Sequence, residues 1–407
     1  MSPDLAATST STNSPATVRV GVIGIGNMGS SHARTLLSGA IPGAELTAVC
    51  DIRESMRQWT AEQLSPTVTF WNDSEQMIQS GTIDAVILAT PHDDHARQAI
   101  IAFQHGLHVL VEKPAGVSTA QVRQMNDAAA AASDSVFAIM YNQRTNPVYR
   151  KLRELIQSGE LGELRRMNWI ITSWYRSQSY YNSGGWRATW AGEGGGVLIN
   201  QCPHQLDLLQ WTTGMMPERI RAFCRFGHYR KIEVEDDVTA YAEYANGASA
   251  VFITTTGEAP GTNRLEMTGD RGKIVIEHDR LTFWRLRESE PEFNSHYTGK
   301  FGSPECWQCD IPIEGEETGH PGIMRNWIDA IRYGTPLLSP GEEGIYGLTL
   351  SNAMLLSTWT DSWVHLPLDE QQFTAELEQR RQQSVYQPGS TVDNEQDVPA
   401  DLSGTFK

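Results

Sequence analysis

Between residues 18 and 144 the apolar positions arrive in short dense runs: VRVGVIGIG (18–26), ELTAVCD (45–51), DAVILAT (84–90), HVLVEKP (108–114) and VFAIMYNQR (136–144). From about Ser30, through Trp59, from His95 to His105 and from Ser118 to about Ala132 the spacing lengthens to that of helices. Buried β-rich runs alternating with helices predict βαβ units, and so a parallel sheet covered on both faces. Residues 18–145 therefore read as a doubly wound α/β domain.

A helix follows in NPVYRKLRELIQSGELG (146–162), with Pro147 suited to its first turn and Gly159 to its stop. Beyond it the runs alternate: RRMNWIITSWYRS, RIRAFCRF, DVTAYAEYANGASAVFITTT, RLEMTG, KIVIEH and RLTFWRL. Asn246-Gly247 between two alternating runs predicts a hairpin. Residues 146–365 are thus expected to form an α+β domain with a large open antiparallel sheet. The segment GEGGGVLINQCPHQLDLLQW (192–211) places four glycines ahead of a stretch that reads as a buried helix over 195–213. On such a helix Asn200 and His204 share a face, with Asp207 three residues on. Pro203 either kinks it or opens a new first turn. Two later helices, HPGIMRNWIDAIRYG and EEGIYGLTLSNAMLLSTW, return to the first domain. Residues 1–17 and the polar tail after about Gln383 are expected to be disordered, with a C-terminal helix opening the 366–407 segment.

The chain has 407 residues, 40% of them apolar, and a formal net charge of −17. No basic stripe offers itself to phosphate backbones, so nucleic acid is not an expected partner. No apolar run is long enough for a bilayer, and the first residues lack a basic, then apolar, leader; no membrane partner and a cytoplasmic location are expected. Five scattered cysteines (Cys50, Cys202, Cys224, Cys306, Cys309) fit a reducing compartment. The single C-x-x-C at Cys306 and Cys309 lacks the second pair a zinc site needs, and no metal is expected.

GIGNMG, directly after the first strand, sets Gly24, Gly26 and Gly29 in G-x-G-x-x-G spacing around Ile25, Asn27 and Met28. Such glycines allow a tight turn, a close backbone approach to a pyrophosphate and helix–strand packing, the fingerprint of a Rossmann dinucleotide site. Asp51, 22 residues past Gly29, stands where a carboxylate can accept from ribose hydroxyls. This favours NAD, while Arg53 keeps NADP as the alternative, since a guanidinium there accommodates a 2′-phosphate. Ligands in open parallel sheets bind at the carboxyl ends of strands. Those ends supply Thr90, Pro91 and His95, then Glu112 and Lys113, then Tyr141, Asn142 and Arg144.

GIGNMG, TPHDDH, VEKP and GGGVLINQCPHQLD, with a long antiparallel second domain, together resemble the Gfo/Idh/MocA oxidoreductase family over roughly residues 18 to 365. The resemblance implies that a lysine, an aspartate and a histidine four residues later surround a sugar or cyclitol; the matching positions are Lys113, Asn200 and His204. Asn200 departs from the commonest pattern, because an amide cannot take a proton. His204 is then the expected base, Lys113 the group that holds the developing alkoxide, and Asn200 a positioning group. Trp174, Tyr180, Tyr181, Trp186, Arg187 and Trp190 offer aromatic and polar contacts suited to a sugar ring. His320 enters the substrate set from the resemblance alone. The expected activity is hydride transfer between nicotinamide and a secondary alcohol of a sugar, sugar derivative or inositol. Two alternatives are a glycosidase or epimerase reaction through a transient ketone and a non-catalytic nucleotide sensor. A homodimer or homotetramer through the antiparallel sheet is the expected assembly.

Overall fold

The structure, a computed structural model, describes residues 16–184 and 186–385; most of the arm and tail expected to be disordered lies outside them. The first domain runs β1 (Val18–Ile23), α1 (Asn27–Leu37), β2 (Ala44–Cys50), α2 (Glu54–Gln63), β3 (Thr69–Trp71), α3 (Ser74–Gln79), β4 (Ala85–Leu88), α4 (Asp94–Gln104), β5 (His108–Val111), α5 (Thr119–Ala131) and β6 (Phe137–Ile139). The strands form a wholly parallel sheet in the order β3-β2-β1-β4-β5-β6. β3 was not expected, because three residues are too few to show a period. β6 stops at Ile139, and the chain continues into a 3₁₀ turn over Asn142–Thr145.

α6 (Pro147–Gln157) carries Pro147 in its first turn, and the Asn146 side chain accepts the Val148 N–H. Then come β7 (Leu164–Ile171), α7 (Gln178–Tyr181), α8 (Pro203–Thr213), β8 (Arg219–Phe226), β9 (Glu235–Glu243), β10 (Ser249–Thr255), β11 (Asn263–Gly269), β12 (Gly272–Glu277) and β13 (Arg280–Leu286). The chain continues with α9 (Glu290–His296), β14 (Cys306–Cys309), α10 (Gly319–Tyr333), α11 (Gly344–Trp359), β15 (Val364–His365) and α12 (Glu370–Gln383). Nine strands pair in the order β14-β13-β12-β11-β7-β10-β9-β8-β15. The β9–β10 hairpin turns at Gly247, whose φ is +84°. The sheet is mixed rather than purely antiparallel: β7 and β10 run parallel from Arg166 against Ser249 to Ile171 against Thr254. A parallel pair needs a crossover, and the segment from α7 through β9 supplies it.

One face of the parallel sheet packs on α1, α2 and α10 through Leu36, Trp59, Met324 and Trp327; the other packs on α3, α4 and α5 and merges with the core under the nine-stranded sheet. α8 lies inside that core, buried from Pro203 through Thr212. The outer face of the large sheet leaves Phe223 and Tyr241 exposed. No helix among the described residues is long and apolar enough to cross a membrane.

The helix expected over 195–213 begins only at Pro203. A proline has no N–H to bond backwards and suits a first turn. Upstream, the N–H groups of Gly196 and Leu198 go to the Glu235 carboxylate, at 2.8 and 3.1 Å, instead of to helix carbonyls. Residues 196–202 therefore make separate turns, with the Cys202 N–H on the Val197 carbonyl at 2.9 Å. Asn200 and His204 do not share a helix.

Candidate active site

The carboxyl end of β1 runs into the glycine turn. Gly24 has φ +88°, and a Cβ there would stand 2.6 Å from the Ala89 carbonyl oxygen; a Cβ on Gly29 would come within 1.8 Å of the Gly24 oxygen. Gly26, by contrast, faces open space, with nothing within 4 Å of a Cβ. α1 starts there with no side-chain cap and no acidic residue in its first turn, so its partial positive charge is left for an anion. Asp51 holds the turn from the side: it accepts the Ile25 N–H at 2.9 Å and the Arg53 N–H and Nε at 3.0 Å. These features fit a dinucleotide pyrophosphate, with Asp51 beside it.

At the ends of β4 and β5 several residues expected to touch cofactor are engaged elsewhere. The His95 ring lies 2.9 Å from both the Pro114 and the Thr90 carbonyl oxygens, a tie between two strand-end loops. Thr90 donates its hydroxyl to Gln98 at 2.8 Å. Glu112 is buried against His32 at 2.6 Å. Burial pushes the Glu112 carboxyl up, but the His32 hydrogen bond and the charges of His32, His320 and Lys113 outweigh it and bring it down to about 2. Arg144 is fully buried, paired with both oxygens of Asp207 at 2.6 and 2.8 Å, with Glu343 and with the Leu338 carbonyl. These bonds turn the guanidinium into the protein, which corrects the expectation that Arg144 binds cofactor. Asp207 is correspondingly structural.

Lys113 is half-buried, and its Nζ donates to the Asn200 carbonyl at 3.0 Å, joining the two domains at the site. Burial lowers its pKa, and Arg187 and Arg176 act in the same direction, against Glu112 and Glu193. His204, the second residue of α8, is buried with Nδ1 unpartnered and its ring edge-on to Tyr141 at 6.2 Å. Burial holds its pKa well below the usual imidazole range, and the charges of Lys113 and His320 add to that. His320 opens α10 with its ring 5.6 Å from His32, and burial brings it down to about 4. Asn142 is buried with its Oδ1 unpartnered, a polar atom that a ligand can satisfy. Tyr141 turns its hydroxyl to the Gly344 carbonyl at 3.4 Å and so supplies a wall rather than a hydroxyl to the cleft.

The aromatic segment divides. Arg187 stacks over Trp186 at 4.8 Å and over Tyr180 at 5.2 Å, and Trp186 meets the His92 ring edge-on at 6.0 Å. Trp174 packs half-buried against the core. Tyr181 bonds Thr256 at 2.9 Å and Trp190 meets Trp359 edge-on at 5.6 Å, so these two belong to the core. Sequence reasoning missed His32, His92, Arg176 and Glu193; of these only Glu193 carries a signal, an acid set among glycines in GEGGG. Cys306 and Cys309, three apart on a strand, point to opposite faces, and among the described residues no group of three or more His, Cys, Asp or Glu is arranged to hold a metal.

Residues 18–140 match the oxidoreductase family described as an NAD-binding Rossmann fold, and residues 149–275 match the GFO/IDH/MocA C-terminal domain. The chain is 24% identical to the myo-inositol 2-dehydrogenase of Thermotoga maritima over 83% of its own length and 95% of that protein's. It is 24% identical to the scyllo-inositol 2-dehydrogenase (NAD(+)) of Bacillus subtilis, over 77% and 90%. Among solved structures, the WlbA dehydrogenase of Bordetella pertussis in complex with NADH and UDP-GlcNAcA is similar with a TM-score of 0.74 and 26% identity, over 87% of this chain and 99% of that one.

Proposed function

The chain belongs to the Gfo/Idh/MocA oxidoreductase family and its first domain is an NAD-binding domain; from that premise we propose that it is a dehydrogenase acting on a secondary alcohol of a sugar, sugar derivative or inositol. The observation that carries this reading is that Lys113, just past the end of β5, bonds the Asn200 carbonyl at 3.0 Å and stands near enough to His204 to lower its pKa. NAD, when bound, supplies the hydride acceptor. His204, kept neutral by burial and by the nearby Lys113, takes the proton of the substrate hydroxyl. Lys113 donates a hydrogen bond to the same oxygen and stabilises the alkoxide as it forms. Asn200 positions a neighbouring hydroxyl. Asn142, in the turn after β6, keeps its Oδ1 free to accept from the cofactor or the substrate.

Arg176 and Arg187, both near enough to act on Lys113, favour a substrate that carries a carboxylate or phosphate, as the UDP-GlcNAcA of the WlbA complex does. The outer face of the large sheet, with Phe223 and Tyr241, is where subunits would associate. The test is a panel of inositols, neutral sugars, uronates and nucleotide sugars with NAD and NADP, followed by NADH absorbance. Lys113→Ala and His204→Ala are each expected to lower turnover by about 10²–10⁴ while NADH affinity stays within about threefold. Normal turnover in either variant removes that residue from the mechanism.

A further inference from the structure

Asn200 is held at both ends: its carbonyl accepts from Lys113 at 3.0 Å, and its side-chain Nδ2 donates to Oε1 of Glu193. Glu193 is itself fixed. It is 2% exposed, its Oε2 accepts the Ala188 N–H at 2.6 Å, its N–H bonds the Thr189 carbonyl at 3.0 Å, and its own carbonyl oxygen lies 3.3 Å from Nδ1 of His92. An ionised carboxylate only accepts hydrogen bonds. The Asn200 amide must therefore turn its NH₂ toward Glu193 and leave Oδ1 for other partners.

We propose that Glu193 is a positioning residue of this site: it fixes the Asn200 amide so that Oδ1 accepts from a substrate hydroxyl, and it places a negative charge beside Lys113 that the uncharged Asn200 cannot supply. The inference rests on the dehydrogenase reading above for the substrate's place, but the grip on Asn200 and the charge beside Lys113 hold without it. A carboxylate this deep is expensive unless a positive partner needs it. Burial raises the Glu193 carboxyl above its ordinary value, and Arg187, the Ala188 N–H, the Asn200 amide and Lys113 all oppose that rise. Neither Arg187 nor Lys113 forms a direct ion pair with Glu193 among the described residues; Asn200 links Lys113 to Glu193, bonded to the first through its carbonyl and to the second through its amide.

One experiment reads this without any substrate. Cyanate carbamylates neutral amines, so the pH dependence of Lys113 carbamylation, followed by mass spectrometry with the exposed Lys300 as internal reference, reports the Lys113 ammonium. The groups facing Lys113 are Glu112, Glu193, Arg176, Arg187, His92, His204 and His320. Glu193→Gln changes only one of these charges and is expected to lower the Lys113 midpoint by about half a unit or more. Adding Asn200→Asp to that variant moves the charge across the same hydrogen bond and is expected to restore the midpoint. The kinetic counterpart uses the best substrate of the panel. Glu193→Gln and Asn200→Asp singly are expected to lower kcat by about tenfold or more, and the double variant to return within about threefold of the wild type. NADH affinity serves as the folding control. An unmoved Lys113 midpoint in Glu193→Gln, or a double variant as slow as the product of the two singles, overturns the proposal. Failure of every substrate in the panel bears on the dehydrogenase reading and leaves the carbamylation result to decide on Glu193.

Discussion

His204 is charged only below its pKa, and burial together with the Lys113 and His320 charges lowers that pKa. The proton-accepting form therefore persists to lower pH than for an exposed imidazole, whose ordinary value is about 6.5. In the direction of alcohol oxidation, kcat/KM is expected to hold its plateau below pH 6.5 and to fall only at more acidic values, as His204 protonates. Lys113→Met removes one of the cations and is expected to move that acid limb upward as well as to slow the reaction. A limb at or above pH 6.5 in the wild type shows that another group is the base. Residues differ in how visible such roles are in the sequence. Lys113 is legible because it closes an apolar strand before a proline. Arg144 occupies an equally good strand-end position and is misleading, because only the fold reveals that Asp207 and Glu343 surround its guanidinium. Glu193 belongs to no periodic pattern, and its role exists only once the glycine loop is folded onto Lys113.

At the level of elements, the glycines of 192–196 serve close packing and not looseness. A Cβ on Gly196 would lie 2.0 Å from the Glu235 carbonyl oxygen, and one on Gly194, where φ is +80°, would lie 2.4 Å from Val117. Glu235 then receives two N–H groups of the loop, and burial raises its carboxyl to about 7. The loop is thereby fastened to the start of β9, which sets where Asn200 stands relative to Lys113. Gly196→Ala must push backbone against backbone, so it is expected to destabilise the protein by about 1–3 kcal/mol and to lower turnover more than NADH affinity. Thermal unfolding and NADH titration check this, and an unchanged melting temperature with normal turnover shows that the loop has slack. The same packing explains why α8 starts later than its apolar pattern predicts. Periodicity runs unbroken from Leu198 to Thr213, while the break comes from the proline's missing N–H and from Glu235, which is distant in sequence. Strands and helices with their own strong patterns, β1 to α1 and the β9–β10 hairpin, needed no such distant partner and were legible.

Across the whole molecule, the cleft is set by contacts that bridge the parallel sheet and the second domain, and the deepest is the Arg144 cluster. Arg144 lies in the 3₁₀ turn that follows β6, Asp207 sits in the middle of α8, and Glu343 immediately precedes α11, so one guanidinium ties three separate parts of the fold. The general architecture, a doubly wound sheet followed by a large sheet, follows from patterns local enough to read in the chain; the relative placement of the halves depends on such buried pairs, which no periodicity announces. Arg144 is wholly buried and Asp207 nearly so, so truncating the arginine strands a carboxylate in the core. Arg144→Ala is expected to lose about 3–5 kcal/mol in urea denaturation. Adding Asp207→Asn removes the stranded charge and is expected to recover part of that loss, because the penalty arises from the unpaired ion and not from a missing attraction alone. Since the cluster lies along the same helix that presents His204, the single variant is also expected to lower kcat in the fraction that remains folded. A loss below about 1 kcal/mol would mean that water or a local rearrangement reaches Asp207, and that the two halves are held together chiefly by their apolar contacts.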